Sequence, residues 1–227
     1  MIRRLITMRR LTSFITLLTT STSPIAAELG GGFDLSGNIS ATSEYYWRGM
    51  DQNSNAPATQ GGIDLAHDYG LYFGVWTSNV NFGGGDTSQE VDYYGGFAKE
   101  ISWFNFDVGM ISYQYPGNTG DLEFEESYLG LGASFEPVEF GVTYYAGASA
   151  AEDALEMSIG ATLLETGFSV TFGDYDNTGD YLTVVISREV LTEIWPIELA
   201  LTYTEMDFED PTTVDDDATI FSISKSF

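Results

Sequence analysis

Hydrophobic and polar residues alternate along most of this 227-residue chain. In LSGNISATSEYYW, Leu35, Ile39, Ala41, Tyr45 and Trp47 fall on one face, and Ser36, Asn38, Ser40, Thr42 and Glu44 on the other. VEFGVTYYAG sets Val138, Phe140, Val142 and Tyr144 against Glu139, Gly141 and Thr143. LEMSIGATLL sets Leu155, Met157, Ile159, Ala161 and Leu163 against Glu156, Ser158, Gly160 and Thr162. A period of two marks a strand with two unlike faces. Strands placed on such runs number about twelve, near residues 34–47, 58–67, 71–81, 90–99, 104–114, 124–134, 138–148, 154–163, 167–174, 180–188, 196–207 and 218–227. Each is close to the ~9–11 residues that cross a bilayer when tilted.

The connections alternate in character as well. HDYG, EISW, EPV, ETG and EVLTEIW are short, whereas GMDQNSNAP, GGGDTSQE, PGNTGDLE, SAAED, DYDNTG and FEDPTTVDD are longer, polar and acidic. Short turns on one side and long loops on the other are the pattern of an outer-membrane barrel whose turns face the periplasm. The fold class this predicts is all-β: an antiparallel up-and-down transmembrane β-barrel of about 12 strands, with both termini periplasmic. A soluble β-sandwich would also alternate, so the content of the faces decides. Here the polar faces carry Gly, Ser, Thr and isolated acids, with almost no lysine. Tyr45, Trp47, Tyr72, Trp76, Phe104, Trp195 and Phe227 sit near strand ends, as interfacial aromatic girdles would. In the final TIFSISKSF, Phe227 shares the lipid-facing parity of Phe221 and Ile223. A terminal aromatic so placed looks like the signal by which the barrel-assembly machinery recognises outer-membrane barrels.

Composition narrows the picture. The segment MIRRLITMRRLTSFITLLTTSTSPIAA has the order of a secretory leader, basic then apolar then small, with cleavage expected after Ala27. Met8 is an alternative start, and a short membrane anchor is the alternative reading, although the apolar run is well under the ~20 residues of a span. The domain division is then a leader, 1–27, and a barrel, 28–227. Beyond the leader, only Arg48, Lys99, Arg188 and Lys225 stand against 34 acids, so the formal charge moves from −26 for the whole chain to −30. That charge excludes nucleic acid as a partner, because it repels phosphate. The absence of cysteine excludes disulfide and thiol chemistry. Disorder is disfavoured by 43% hydrophobic and 15% aromatic residues.

SGNISATSEYYWRGMDQNSNAPATQGGIDLAHDYGLYFGVWTSNVNF, with EVDYYGGFAKEI, DVGMISYQYPG, ESYLGLGASF and the terminal FSISKSF, resembles the TorF-type family of porins, long carried as bacterial proteins of unknown function. The likeness covers most of the chain beyond the leader and is densest from Ser36 to Phe82. Its most specific pieces are Trp47-Arg48-Gly49 and GVWTSNV. In the first loop, Met50-Asp51-Gln52 departs from the serine expected near the glutamine. The resemblance implies an outer-membrane barrel with a channel role and implies no substrate or cofactor.

Catalytic chemistry finds little support. A hydrolase needs a nucleophile, a base and an orienting group, and the single histidine, His67, falls in a turn beside Asp68. The expected protein is not an enzyme and needs no cofactor. Asp174 and Asp176 in DYDNTG match the start of a calcium loop, but Val185 stands where a closing glutamate belongs. They are weak metal candidates only. Diffuse divalent cations are expected at the loop acids Asp51, Asp86, Asp121, Glu123, Glu152, Asp153, Glu209, Asp210 and Asp215–Asp217, bridging them to lipopolysaccharide phosphates. Strand parity turns Glu44, Asp64, Asp92, Asp107, Glu139, Glu156 and Glu198 inward, with Arg48 near the outer mouth. Lys99, Arg188 and Lys225 take outward parity at the periplasmic strand ends. Carboxylate-lined pores favour cations. The sequence therefore predicts a porin-like diffusion channel for small cationic or neutral solutes. A closed, structural barrel displaying acidic loops is the alternative, and a soluble periplasmic β-sandwich ranks third.

Overall fold

The computed structural model describes residues 27–83, 87–117, 122–148, 151–190 and 196–227. Nearly all of the expected leader, Asp86, Asp121 and Trp195 lie outside these residues. In chain order the strands are β1 (Ala27–Gly30), β2 (Phe33–Thr42), β3 (Tyr46–Trp47), β4 (Met50–Asp51), β5 (Ala58–His67), β6 (Leu71–Asn79), β7 (Gln89–Ile101) and β8 (Phe104–Gln114). They continue as β9 (Phe124–Phe135), β10 (Val138–Ala148), β11 (Ala154–Leu163), β12 (Thr166–Tyr175), β13 (Gly179–Val190), β14 (Ile197–Phe208) and β15 (Asp216–Ser226). No helix among the described residues is long and apolar enough to cross a membrane.

Each strand from β5 to β15 pairs antiparallel with its neighbour in sequence, and β2 pairs with both β5 and β15. The sheet is thereby closed into a twelve-stranded barrel. Closure leaves no unpaired edge, the condition under which strands can stand in lipid. At the seam, Gly37 and Phe227 exchange backbone hydrogen bonds of 2.7 and 2.9 Å. β1 then continues along β2 beyond the point where β15 ends, with Ala27 opposite Leu35.

The outward face carries Ile63, Phe73, Met110, Leu129, Met157, Phe172, Leu201 and Phe221, all exposed large hydrophobic side chains. One end of the barrel bears tight turns. Leu164 and Glu165 have φ of 50° and 63° between the paired Leu163 and Thr166, the mirror-image two-residue turn that matches strand twist. Near this end Trp103 stacks on Phe135 with ring centroids 5.6 Å apart. Both described chain ends, Ala27 and Phe227, lie here. The opposite end bears the longer connections.

Three expectations need correction. The first strand ends at Thr42, not residue 47, because Ser43 turns back on β15: its amide donates to the Phe221 carbonyl (2.9 Å) and its hydroxyl accepts from the Phe221 amide (3.0 Å). DYDNTG is no long loop: β12 runs through Tyr175 and β13 restarts at Gly179, closed by the Thr178 amide donating to the Tyr175 carbonyl (2.9 Å). Tyr45, Tyr72 and Trp76 are not girdle residues: Tyr45 and Trp76 are buried inside, Tyr72 turns inward to Asp107, and Trp47 packs in the interior too.

Candidate functional site

Burial of the inward positions is graded along the barrel. On β9, Glu126, Tyr128, Gly130 and Gly132 are buried, whereas Ser134 is not. On β11 the sequence runs from buried Ala154 and Glu156 through half-buried Ser158 and Gly160 to exposed Thr162. On these two strands the inward positions are buried at the loop end and gain exposure toward the turn end.

The packing comes from the connection between β2 and β5. β3 and β4 form a hairpin whose central residues, Arg48 and Gly49, have φ of 48° and 77°, again a mirror-image turn. Arginine at a positive φ is uncommon, and its side chain explains why it stays. The guanidinium is 4% exposed and grips Glu126 of β9 in a fork, Nη1 to Oε1 at 2.6 Å and Nη2 to Oε2 at 3.0 Å. Its Cζ lies 4.4 Å from the ring centroid of Trp47, 4.6 Å from that of Tyr145 and 5.0 Å from that of Tyr175. Tyr113 donates to the second Glu126 oxygen at 3.1 Å. Gly49 abuts β14 so closely that a Cβ would lie 2.6 Å from the Glu205 carbonyl oxygen. Asp51 and Tyr46 bond Asp216 of β15, at 3.2 and 3.0 Å. The hairpin is thus tied to opposite walls and crosses the lumen.

Below and around it runs a repeated arrangement of acid, glycine and tyrosine. Asp64, Gly74 and Tyr94 stand at one level on β5, β6 and β7. The Tyr94 ring lies over Gly74, where a Cβ would sit 2.2 Å from it, and its hydroxyl donates to Asp64. Glu156, Gly173 and Tyr181 repeat this on β11, β12 and β13, with the Tyr181 hydroxyl 2.5 Å from Glu156. Tyr145 also donates to Glu156, at 3.3 Å. Tyr72 and Tyr128 approach over Gly96 and Gly109 from either side until their hydroxyls meet, and Tyr72 donates to Asp107 at 2.7 Å. Glycine is required at each centre because the ring occupies the space of a side chain.

Of the residues singled out from the sequence, Asp92, Asp107, Glu156 and Glu198 are buried on inward strand positions, and Asp64 is half-buried. Glu139 has inward parity but lies exposed near the turn end. Glu44 is not on a strand; it belongs to the first connection, where its carbonyl accepts from the Thr42 hydroxyl at 2.8 Å. Asp174 pairs across from Asp180 on the exposed face, and Asp176 lies in the tight turn, so the calcium-loop geometry is not formed. Phe227 is exposed, its ring covering Gly37. His67 sits in its turn, against the Gly31 carbonyl at 3.2 Å and the Tyr69 amide at 3.1 Å. Among the loop acids, the Tyr144 hydroxyl and the Gly147 amide hold the Asp153 carboxyl below its ordinary value. The Thr212 amide and hydroxyl do the same for Asp210. Sequence reading missed Glu90 and Glu126, both at most 2% exposed inside the lumen. The parity of β7 and β9 was the available sign, but each lies at the loop end, where a solvated acid is the ordinary expectation.

A closed antiparallel β-barrel with an apolar belt and a polar interior crossed by a loop defines a porin-like β-barrel fold. Residues 26–186 match Gcw_chp, bacterial proteins of unknown function, and the chain belongs to that family. No curated protein matches it in sequence. Among solved structures it is similar to the KdgM porin in complex with disordered oligogalacturonate, with a TM-score of 0.57 and 11% identity over 85% of this chain and 97% of that one. It also matches the outer membrane protein OpdK from Pseudomonas aeruginosa, TM-score 0.46 and 11% identity, over 89% of this chain and 68% of that one. The likeness to KdgM concerns the fold alone.

Proposed function

We propose that this protein is a non-enzymatic outer-membrane diffusion channel, of the TorF porin type, that prefers small cations and is narrowed by its first loop. The observation that carries the cation preference is the inventory of the lumen. Asp64, Glu90, Asp92, Asp107, Glu156 and Glu198 occupy inward positions on the walls, and the one arginine beside them is already bound to Glu126. Carboxylates in a low-dielectric passage attract cations and repel anions. Loops on the outer face and both termini in the periplasm follow from the usual orientation of such barrels. On this reading residues 1–27 are the cleaved leader, Phe227 is read by the assembly machinery, and loop acids meet lipopolysaccharide through divalent cations.

The experiment is single-channel current through the purified protein in a planar bilayer across a potassium chloride gradient. Discrete steps with a cation-signed reversal potential are expected. A reversal potential of anionic sign would refute the selectivity. The packing of the β3–β4 hairpin in the lumen favours one second reading, a non-conducting barrel that displays acidic loops. A folded barrel that gives no steps would establish it over the first.

A further inference from the structure

Three buried side-chain oxygens among the described residues have no hydrogen-bond partner: Glu90 Oε2, Asp92 Oδ1 and Asp107 Oδ2. Two of these belong together. Glu90 and Asp92 stand two residues apart on the inward face of β7, only 2% and 3% exposed. A buried carboxyl oxygen with no donor costs free energy, and a bound cation that donates to both oxygens would offset that cost as a proton would. Among the described residues no basic side chain supplies such a donor there. Arg48 is committed to Glu126 through both nitrogens, while Lys99, Arg188 and Lys225 lie near the turn end.

The surroundings select the kind of cation. Asp92 is flanked across the sheet by Trp76 on β6 and Tyr113 on β8, both buried. Tyr45, edge-on to Trp76 at 5.6 Å, brings its hydroxyl within hydrogen-bonding reach of the Glu90 carboxyl. Tyr115 donates to the other Glu90 oxygen at 3.3 Å. No three acidic or histidine side chains among the described residues converge as a metal site, and a calcium ion wants six to eight oxygens. Two free carboxylate oxygens among aromatic faces suit instead an ion that donates N–H bonds and presents a soft charged surface to rings. We propose that Glu90 and Asp92, walled by Trp76, Tyr45 and Tyr113, bind the ammonium group of a small organic cation beneath the first loop. This deepens the cation-channel reading, and its physiological sense rests on it.

The test is the unfolding midpoint of the purified protein in detergent, at constant ionic strength, in methylammonium, potassium or N-methylglucamine chloride. A ligand that binds only the folded state raises the midpoint. At about ten times its dissociation constant, methylammonium should raise it by roughly 3–6 °C over N-methylglucamine. The doubly substituted protein, E90Q with D92N, should lose that rise. Equal midpoints in methylammonium and potassium, or a rise that survives in E90Q/D92N, would overturn the assignment. If the double variant does not fold, the comparison of salts on the native chain still decides. Cation-signed currents without the methylammonium shift would remove the site and leave the channel. The shift without any current would do the reverse.

Discussion

At the scale of single residues, Arg48 decides the state of the lumen. It is buried, forked onto Glu126 and ringed by Trp47, Tyr145 and Tyr175. Removing one partner of a buried pair leaves an uncompensated charge, at a cost of about 3–5 kcal/mol. Arg48→Ala should therefore release the hairpin. The expected outcome is larger single-channel conductance together with protease cleavage between residues 43 and 57, a segment the parent protein should protect. Arg48→Lys should restore little, because an ammonium cannot reproduce the two-point fork. Unchanged conductance and protection in Arg48→Ala would show that the hairpin is held without this pair. Parity alone located Arg48 near the outer mouth, but its partner was not legible. Glu126 is 78 positions away, and only strand parity separates it from its exposed neighbour Glu125.

At the scale of elements, the acid–glycine–tyrosine triplets join three adjacent strands. At Gly173 a Cβ would lie 2.0 Å from the Tyr181 ring, whereas at inward Gly160 nothing comes closer than 3.6 Å. Gly173→Ala should displace Tyr181 from Glu156 and lower stability by about 1–3 kcal/mol. Gly160→Ala should be close to neutral, within about 0.5 kcal/mol. The unfolding midpoints of the two variants are the measurement, and equal losses would mean that the triplets contribute nothing specific. The strands themselves were legible because lipid on one side and polar groups on the other impose a two-residue period on every element. Their ends were less so. Alternation carries the first strand on to Trp47 because it continues into the hairpin, where the same apolar residues face a packed interior. Apolar residues that meet lipid and those that meet the plug are of one kind, so parity cannot tell the two solvents apart.

At the scale of the whole molecule, closure between β2 and β15 makes the barrel a single cooperative unit. Unheated samples in detergent should migrate differently from boiled ones, as a closed barrel resists unheated detergent; identical migration would speak against closure. The absence of native cysteine permits a clean test of orientation. Val214 in the connection before β15 and Leu164 in the opposite turn are strongly exposed. Val214→Cys should react with a membrane-impermeant thiol reagent on intact cells, and Leu164→Cys only after the outer membrane is opened. The reverse labelling would invert the proposed topology.

By itself the sequence determined the class of fold, the twelve crossings, the outward apolar belt and the inward parity of Asp64, Asp92, Asp107, Glu156 and Glu198, but not that of Glu90 and Glu126. Each of these follows from a local repeat that one strand can display alone. Tertiary structure decided everything that depends on which strands face one another. The first loop turns inward, Arg48 meets Glu126, tyrosines lie across glycines one strand away, and Glu90 and Asp92 are left without a counter-charge. The physical reason is that these contacts are set by cross-strand register and by the curvature of the closed wall. Neither quantity is written in the alternation of any single strand.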